Sequence, residues 1–338
     1  MPRTARTART VRAMKAMRSV KVVRAIDIAG AVEKFAPLST QVEWDNSGFS
    51  VGDPQAVVHK VLIALDCTLD VVEEAVEKKC DMILTHHPLI FGGCKNILYS
   101  DACGYNGPAN RTSSGTSCVF ESLQGRAIAI AIKNGITIYS SHTPLDKARG
   151  GLNDLMAKRL NLQNCKVLSA DGFGTVGSLN SGNSGNSGKN GNRGGNGKEG
   201  MTGEEFIKFV KKQFNVKYLR CSKPIGYGIA TDCKSVEAAG KIAALDRRVA
   251  GKITKVAVSS GAGQGSVSDA IAAGAQALVT ADVSHHNFYQ PEGFMILDIG
   301  HYESEWGAVA LLESIVKKNF SKFAVSLSKR DKSPIYYY

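Results

Sequence analysis

Three short stretches of this chain carry residue types that can do metal chemistry. Thr85-His86-His87-Pro88 closes one apolar run, His142-Thr143-Pro144-Leu145-Asp146 closes another, and His301-Tyr302-Glu303-Ser304-Glu305 follows a third. The last two each set an acid four residues after a histidine. Imidazole and carboxylate gathered at strand ends suit zinc or another transition metal, since both are ordinary ligands of such ions. Adjacent side chains leaving an extended strand project to opposite sides, so His86 and His87 are placed to serve two ions rather than one. His301 and Glu305, one turn apart if a helix begins there, share a face, and Asp146 is the further acid such a site needs. Two ions about 3.5 to 4 Å apart, bridged by a carboxylate, hold and deprotonate a water, which suits hydrolysis of a phosphoester, amide or ring C–N bond.

Positioning these clusters requires strands that end at them. Val61–Leu65 and Met82–Leu84 read as strands around a helix over Leu69–Lys79. Such a connection implies parallel strands with a right-handed crossover, and ligands of open α/β sheets sit beyond the carboxyl ends of strands, where His86 and His87 fall. Apolar spacing predicts further helices at Ala25–Phe35, Val119–Asn134, Leu152–Leu160, Glu204–Phe214 and Ser266–Ala273, and strands at Ile136–Tyr139, Val256–Ser259, Ala277–Val279 and Phe294–Ile299. Trp44-Asp45-Asn46-Ser47-Gly48 has turn chemistry, with a Trp at a site mouth as the sharper reading. Gly261-Ala262-Gly263-Gln264-Gly265-Ser266 either offers backbone N–H groups to an anion or is a tight turn that needs glycine.

The two halves also resemble each other. An offset of 195 residues places Val61 on Val256, Ile63 on Val258, Ile83 on Leu278, Thr85 on Thr280 and His87 on Asp282, and an offset of 159 places His142 on His301 and Asp146 on Glu305. The order of elements favours pseudo-duplication. The expected fold is therefore α/β, with two similar interlinked lobes built from duplicated βαβ units and a dinuclear metal site in the cleft between them. Residues 25–179 form the first lobe, with a surface insertion at about 99–118. Residues 180–200, rich in Gly, Asn and Ser, form a flexible loop, and 201–338 form the second lobe, whose end completes the metal site.

A chain of 338 residues that is 43% hydrophobic can bury a sizeable core, and no apolar run approaches the ~18 residues of a membrane helix. The net charge of +12 is concentrated in residues 1–24, where a basic residue recurs at every third position from Arg3 to Arg24 and no acid occurs. This basic leader reads as a transit peptide, which points to a mitochondrial or other organelle matrix, with a cytoplasmic protein bearing a solvated tail as the alternative. Without interleaved aromatic residues, the leader is a poor nucleic-acid arm. Eight Cys without CxxC spacing imply reduced thiols.

At these same residues the chain resembles the NIF-three-like family, the GTP cyclohydrolase I type 2 homologues. The resemblance runs from about Ala25 to the end through WDNSG at 44–48, THHPLIF at 85–91, SHTPLD at 141–146, GLND at 151–154, SVSDAIAAGAQALVTADVSHH at 266–286 and GHYESE at 300–305. It implies a dinuclear metal centre ligated by His86, His87, Asp146, His301 and Glu305, and a two-lobed fold assembled into a hexameric ring. Ala281 departs from the family's common Gly beside Asp282. His142, Asp282 and His286 are expected as proton shuttles or as supports to the ligands. The function so implied is a metal-dependent hydrolase of a nucleotide-like or other small polar substrate, with two divalent ions (zinc, manganese, iron or cobalt) and metal-bound hydroxide as nucleophile. The alternative is a non-enzymatic metal-binding scaffold or regulatory interaction protein.

Overall fold

The apolar runs that end at the histidine clusters are buried along almost their whole length, as parallel strands covered on both faces must be. A computed structural model describes residues 22–94, 97, 118–179, 200–223 and 252–338, of which 118–122 by backbone only. The basic leader up to Lys21, the insertion over 99–117 and the polar loop over 180–199 lie outside the described residues.

In chain order the strands are β1 (Gly48–Val51), β2 (Lys60–Ala64), β3 (Met82–Thr85), β4 (Thr137–Ser140), β5 (Leu162–Val167), β6 (Thr175–Leu179), β7 (Arg220–Cys221), β8 (Lys255–Val258), β9 (Ala277–Thr280), β10 (Met295–Asp298) and β11 (Ala324–Leu327). The helices are α1 (Ala25–Phe35), α2 (Leu69–Glu77), α3 (Cys118–Lys133), α4 (Thr143–Lys147), α5 (Leu152–Arg159), α6 (Gly203–Phe214), α7 (Val267–Ala272), α8 (His301–Glu305) and α9 (Gly307–Asn319). They build two sheets, ordered β1-β4-β3-β2-β11 and β5-β6-β8-β9-β10-β7.

Within each sheet lies the same four-strand unit. β2, β3 and β4 are mutually parallel with β1 antiparallel at β4, and β8, β9 and β10 are parallel with β7 antiparallel at β10. The offset of 195 thus superposes β2 and β3 on β8 and β9. The lobe boundaries expected at 179 and 201 do not follow the sheets, however. β6 pairs with β8 and β5 with β6 in the second sheet, while β11 returns from residues 324–327 to pair with β2. β5 and β11 are short or exposed (β5 is buried only at its first residue), so their hydrophobic pattern is faint, whereas β6 is a buried interior strand.

Core packing explains the return. Ala308, Val309, Leu312, Ile315 and Val316 of α9 pack with Ile28 and Val32 of α1 on Val61 and Ile63 of β2. The opposite face of the first sheet is covered by Val71, Val72 and Ala75 of α2 with Ala127, Ile128 and Ala131 of α3. In the second sheet, Phe206 and Val210 of α6 cover Val256, Val279 and Leu297, with Met156 and Ala157 of α5. Local signals agree with these elements: Thr68 Oγ1 accepts from Val71 N at the start of α2, and Thr202 and Glu205 form a reciprocal cap on α6. Among the described residues, no helix is long and apolar enough to cross a membrane.

One buried acid ties the end of the chain to α2. The Glu74 carboxylate accepts from Ser328 Oγ at 2.5 Å, Lys329 N at 3.0 Å and Arg330 N at 3.2 Å, and pairs with Lys78 Nζ at 2.6 Å. Burial would raise its pKa, but these donors, led by Lys78 and Ser328, outweigh it and hold it at about 2. A carboxyl depressed in this way stabilises the fold above its unfolded pKa and loses that contribution as pH falls through the folded value. Glu74→Gln is accordingly expected to cost about 1–3 kcal/mol in urea unfolding at pH 7. The gap to the parent protein should narrow between pH 4.5 and pH 2.

Candidate metal centre

The carboxyl ends of the parallel strands of both sheets meet at one cleft of about 700 Å³, lined by Asp66, His87, His142, Asp146, His301 and Glu305 among others. β2 delivers Asp66, β3 delivers His86 and His87, and β4 runs into α4 with His142 and Asp146. From the second sheet, β8 delivers Ser260 and Gly261, β9 delivers Asp282, and β10 runs into α8 with His301 and Glu305. All five residues expected as metal ligands are brought together.

They form two donor sets that share one acid. In the first, His86 Nε2 lies 3.8 Å from both Asp146 Oδ1 and Glu305 Oε1. In the second, His87 Nε2 and His301 Nε2 each lie 2.9 Å from Glu305 Oε2 and 3.4 Å from each other. His86 and His87, in the bend just after β3, therefore reach different acid-containing sets, although their rings stand only 4.8 Å apart. His142 also approaches the first two histidines, and the three could form a further donor group.

The outer nitrogen of each ring is already engaged. His86 Nδ1 meets Ser141 O at 2.9 Å, His87 Nδ1 meets Asp66 Oδ1 at 2.8 Å, His142 Nδ1 meets Asp45 Oδ1 at 2.9 Å, and His301 Nδ1 meets Asp282 Oδ2 at 2.7 Å. An acceptor on Nδ1 places the proton there and turns the Nε2 lone pair inward, the usual arrangement behind metal-ligating histidines. His86 Nε2 and Glu305 Oε2 are buried with no aligned hydrogen-bond partner. Two imidazole lone pairs and a carboxylate oxygen converging this closely repel one another unless a cation lies among them.

Protons can play that part. Burial alone would lower the pKa of His87, but Asp66 and Glu305 outweigh it and raise it to about 10. His301 is raised to about 9 against the same burial, by Glu305 and then Asp282. Glu305 is held well below the usual carboxylate range, because His301, His86 and His87 overcome the cost of burial. Asp146 is shifted the other way, by burial and by the neighbouring Glu305 charge.

The supporting contacts cross between the sheets. Ser260 Oγ donates to Asp146 Oδ1 at 2.8 Å, while Asn153 Nδ2 donates to Asp146 O at 3.0 Å and Asn153 Oδ1 accepts from Ser260 N at 2.8 Å. The glycine-rich turn after β8 is a close-approach turn rather than an anion cradle. Its Gly261 and Gly263 amides are spent on Ser304 Oγ and Thr280 Oγ1, and a Cβ at Gly261, where φ is +58°, would stand 2.2 Å from Glu305 Oε1. Ala281 disturbs nothing, since it is Asp282 that takes the left-handed conformation, at φ 53°.

Asp45 belongs to the turn that carries Trp44. Its carboxylate holds Thr143 as well as His142, and these contacts keep it ionised well below the usual range despite burial. Trp44 and Phe91 stand edge-on to His142 with centroids 5.9 and 6.0 Å away, an exposed aromatic rim at the mouth. Asp282 lies behind His301. His286 packs against His285 on an exposed turn and does not line the cleft. Asp66 and Ser260 were not expected from the sequence, although each follows directly on a buried strand, where the rule on carboxyl ends applies. Asp66→Asn, which turns a donor or a weaker acceptor on His87 Nδ1, is expected to weaken metal binding about 10- to 100-fold in a chelator competition titration.

The family model described as Duf34/NIF3 (NGG1p interacting factor 3) matches residues 23–105 and 114–334. The chain belongs to this family. Among relatives of the Duf34/NIF3 chain, a GTP cyclohydrolase 1 type 2 homolog of Clostridium perfringens is 32% identical over 316 residues, which cover 90% of this chain and 97% of the relative. One of the same name from Methanocaldococcus jannaschii is 27% identical and covers 90% and 99%. In fold, the chain is similar to a Bacillus cereus protein related to NIF3, with a TM-score of 0.69, 21% identity and coverage of 94% and 100%. Reduced HcgD from Methanocaldococcus jannaschii gives 0.63, 24% identity and coverage of 91% and 98%.

Proposed function

We propose that this Duf34/NIF3 chain is a hydrolase dependent on two divalent metal ions, acting on a nucleotide-like or other small polar substrate. The observation that carries the reading is Glu305, whose two oxygens face two separate donor sets. The residues fit the ions: imidazole nitrogen and carboxylate oxygen donors, Nδ1 atoms engaged by outer acceptors, and buried Nε2 and Oε2 atoms without aligned partners. His86, Asp146 and Glu305 Oε1 would hold one ion, and His87, His301 and Glu305 Oε2 the other; zinc, manganese, iron and cobalt all accept such donors. When bound, such a pair supplies Lewis acidity and lowers the pKa of water.

The chain's own residues do the rest. Asp66 and Asp282 hold His87 and His301 in the tautomer that presents Nε2. His142, locked by Asp45 on Nδ1, offers Nε2 at the cleft wall, where it can take a proton from the attacking water and return it to a leaving group. Trp44 and Phe91 can stack a flat heterocycle at the mouth and exclude water from the polar floor.

Metal analysis of the purified protein, followed by turnover assays with GTP and with simple phosphoesters, tests the reading. The expected result is two ions per chain and hydrolysis that fails after chelation, after His142→Ala and after Glu305→Gln. Metal-loaded protein with no turnover on any of these substrates would instead support the non-enzymatic scaffold.

A further inference from the structure

Behind the metal cleft lies a second cavity, of about 500 Å³, which shares Asp146 with it. Residues of α4 line both, Thr143 and Asp146 the first and Asp146 and Lys147 the second. The second cavity is lined by Lys147, Arg149, Lys158 and Lys166, drawn from α4, the turn after it, α5 and β5. Its acids are Asp146 and Asp154. Asp146 is hydrogen-bonded to Ser260 in the metal cleft, and the two oxygens of Asp154 are taken by Gly150 N at 2.7 Å and Thr175 Oγ1 at 3.1 Å. Among the described residues, none of the four cations makes an ion pair with a carboxylate.

Lys147 is also held in place. Its ammonium lies 5.1 Å from the centre of the Phe173 ring, and its stem passes beneath Gly172, where an added Cβ would stand 3.1 Å from Lys147 Cε. Asp171, on the wall of the metal cleft, offsets part of the Lys147 charge, and the excess of cations around the concavity still focuses a positive field into it. A mobile surface lysine escapes such a field by swinging into solvent, and the packing of Lys147 under Gly172 and Phe173 denies it that freedom. Ammonium and guanidinium donors together suit an anion with several oxygens, phosphoryl groups above all.

We propose that this cavity binds a small phosphorylated anion, distinct from whatever occupies the metal cleft. The proposal does not depend on the hydrolase reading, since it requires neither metal nor turnover. Because Asp146 forms part of both walls, its occupant lies directly against a residue of the first donor set.

The test is calorimetric titration of the full chain with inorganic pyrophosphate at physiological ionic strength, once as the metal-loaded protein and once after removal of metal by a chelator that is then dialysed away. One saturable site is expected in the metal-free form, and the same site is expected in the loaded form beside any binding at the ions. The triple variant Arg149→Gln, Lys158→Gln, Lys166→Gln replaces exposed side chains, so the fold is retained, and it is expected to weaken binding at least about tenfold through lost charge-assisted hydrogen bonds. Lys208→Gln, Lys212→Gln, Lys322→Gln removes as much charge from exposed positions elsewhere and is expected to change affinity less than about twofold after salt screening. Equal weakening in the two triple variants, binding that disappears with the metal, or no saturable binding would each overturn the proposal.

Discussion

Glu305→Gln is expected to yield protein that retains neither ion, whereas Asp146→Asn retains one. The difference follows from geometry. Glu305 Oε1 faces His86 and Asp146, and Glu305 Oε2 faces His87 and His301, so one substitution damages both donor sets. Asp146 touches the first set alone. Metal content by mass spectrometry after gel filtration reads this directly, and loss of both ions from Asp146→Asn, or of only one from Glu305→Gln, would show that Glu305 is not the shared ligand. The same substitution should lower stability even without metal, because it leaves charged imidazoles buried beside a neutral amide. Removal of one partner from a buried pair costs about 3–5 kcal/mol, within reach of urea unfolding of the chelated protein.

The metal-free and metal-loaded proteins are expected to respond oppositely to alkali. In the metal-free state His87 and His301 titrate at about 10 and about 9, above the ordinary histidine value of 6.5. A histidine raised in the folded state contributes stability that is complete below the unfolded pKa and disappears as pH rises through the folded one. Thermal stability of the chelated protein should therefore decline from about pH 7 to pH 10. Ions bind only deprotonated imidazole, so over the same range the loaded protein gains affinity and its melting temperature holds or rises. Calorimetric titration near pH 7 in buffers of different ionisation enthalpy should show about two protons released as metal enters. Parallel melting curves for the two forms, or no proton release, would remove protons from the role assigned to them at Glu305.

Much of this candidate site was legible in the sequence because the residues gathered in it follow buried strands with strong apolar signals. His86, His87, His142, His301 and Glu305 fall where the parallel-strand rule puts ligands, and the four-residue spacing of His301 and Glu305 matched a single turn of α8. The shared acid was harder to foresee, since periodicity says nothing about which oxygen of a carboxylate faces which neighbour. Asp45 and Asp66 lie 97 and 21 residues from the histidines they hold, a pairing fixed by tertiary packing. His286 shows the converse. It stands just after β9, where the rule on carboxyl ends would put a ligand, but the turn carries it outward to the surface. The assignment of β5 and β11 to sheets was likewise illegible, because an edge strand half open to solvent lacks the hydrophobic run that marks a central one.

The return of β11 to β2 has a consequence for how this protein comes into being. A ribosome delivers residues 60–64 long before 324–327, and until the last segment arrives the outer edge of β2 has no partner. An unpaired, buried-type strand edge is a template for pairing with the wrong chain. Long sequence separation between the two strands also makes their meeting slow. Synthesis in vivo should therefore pass through a vulnerable interval that ends only when residues 324–327 have emerged, and truncations just short of β11 should aggregate rather than yield a soluble first half.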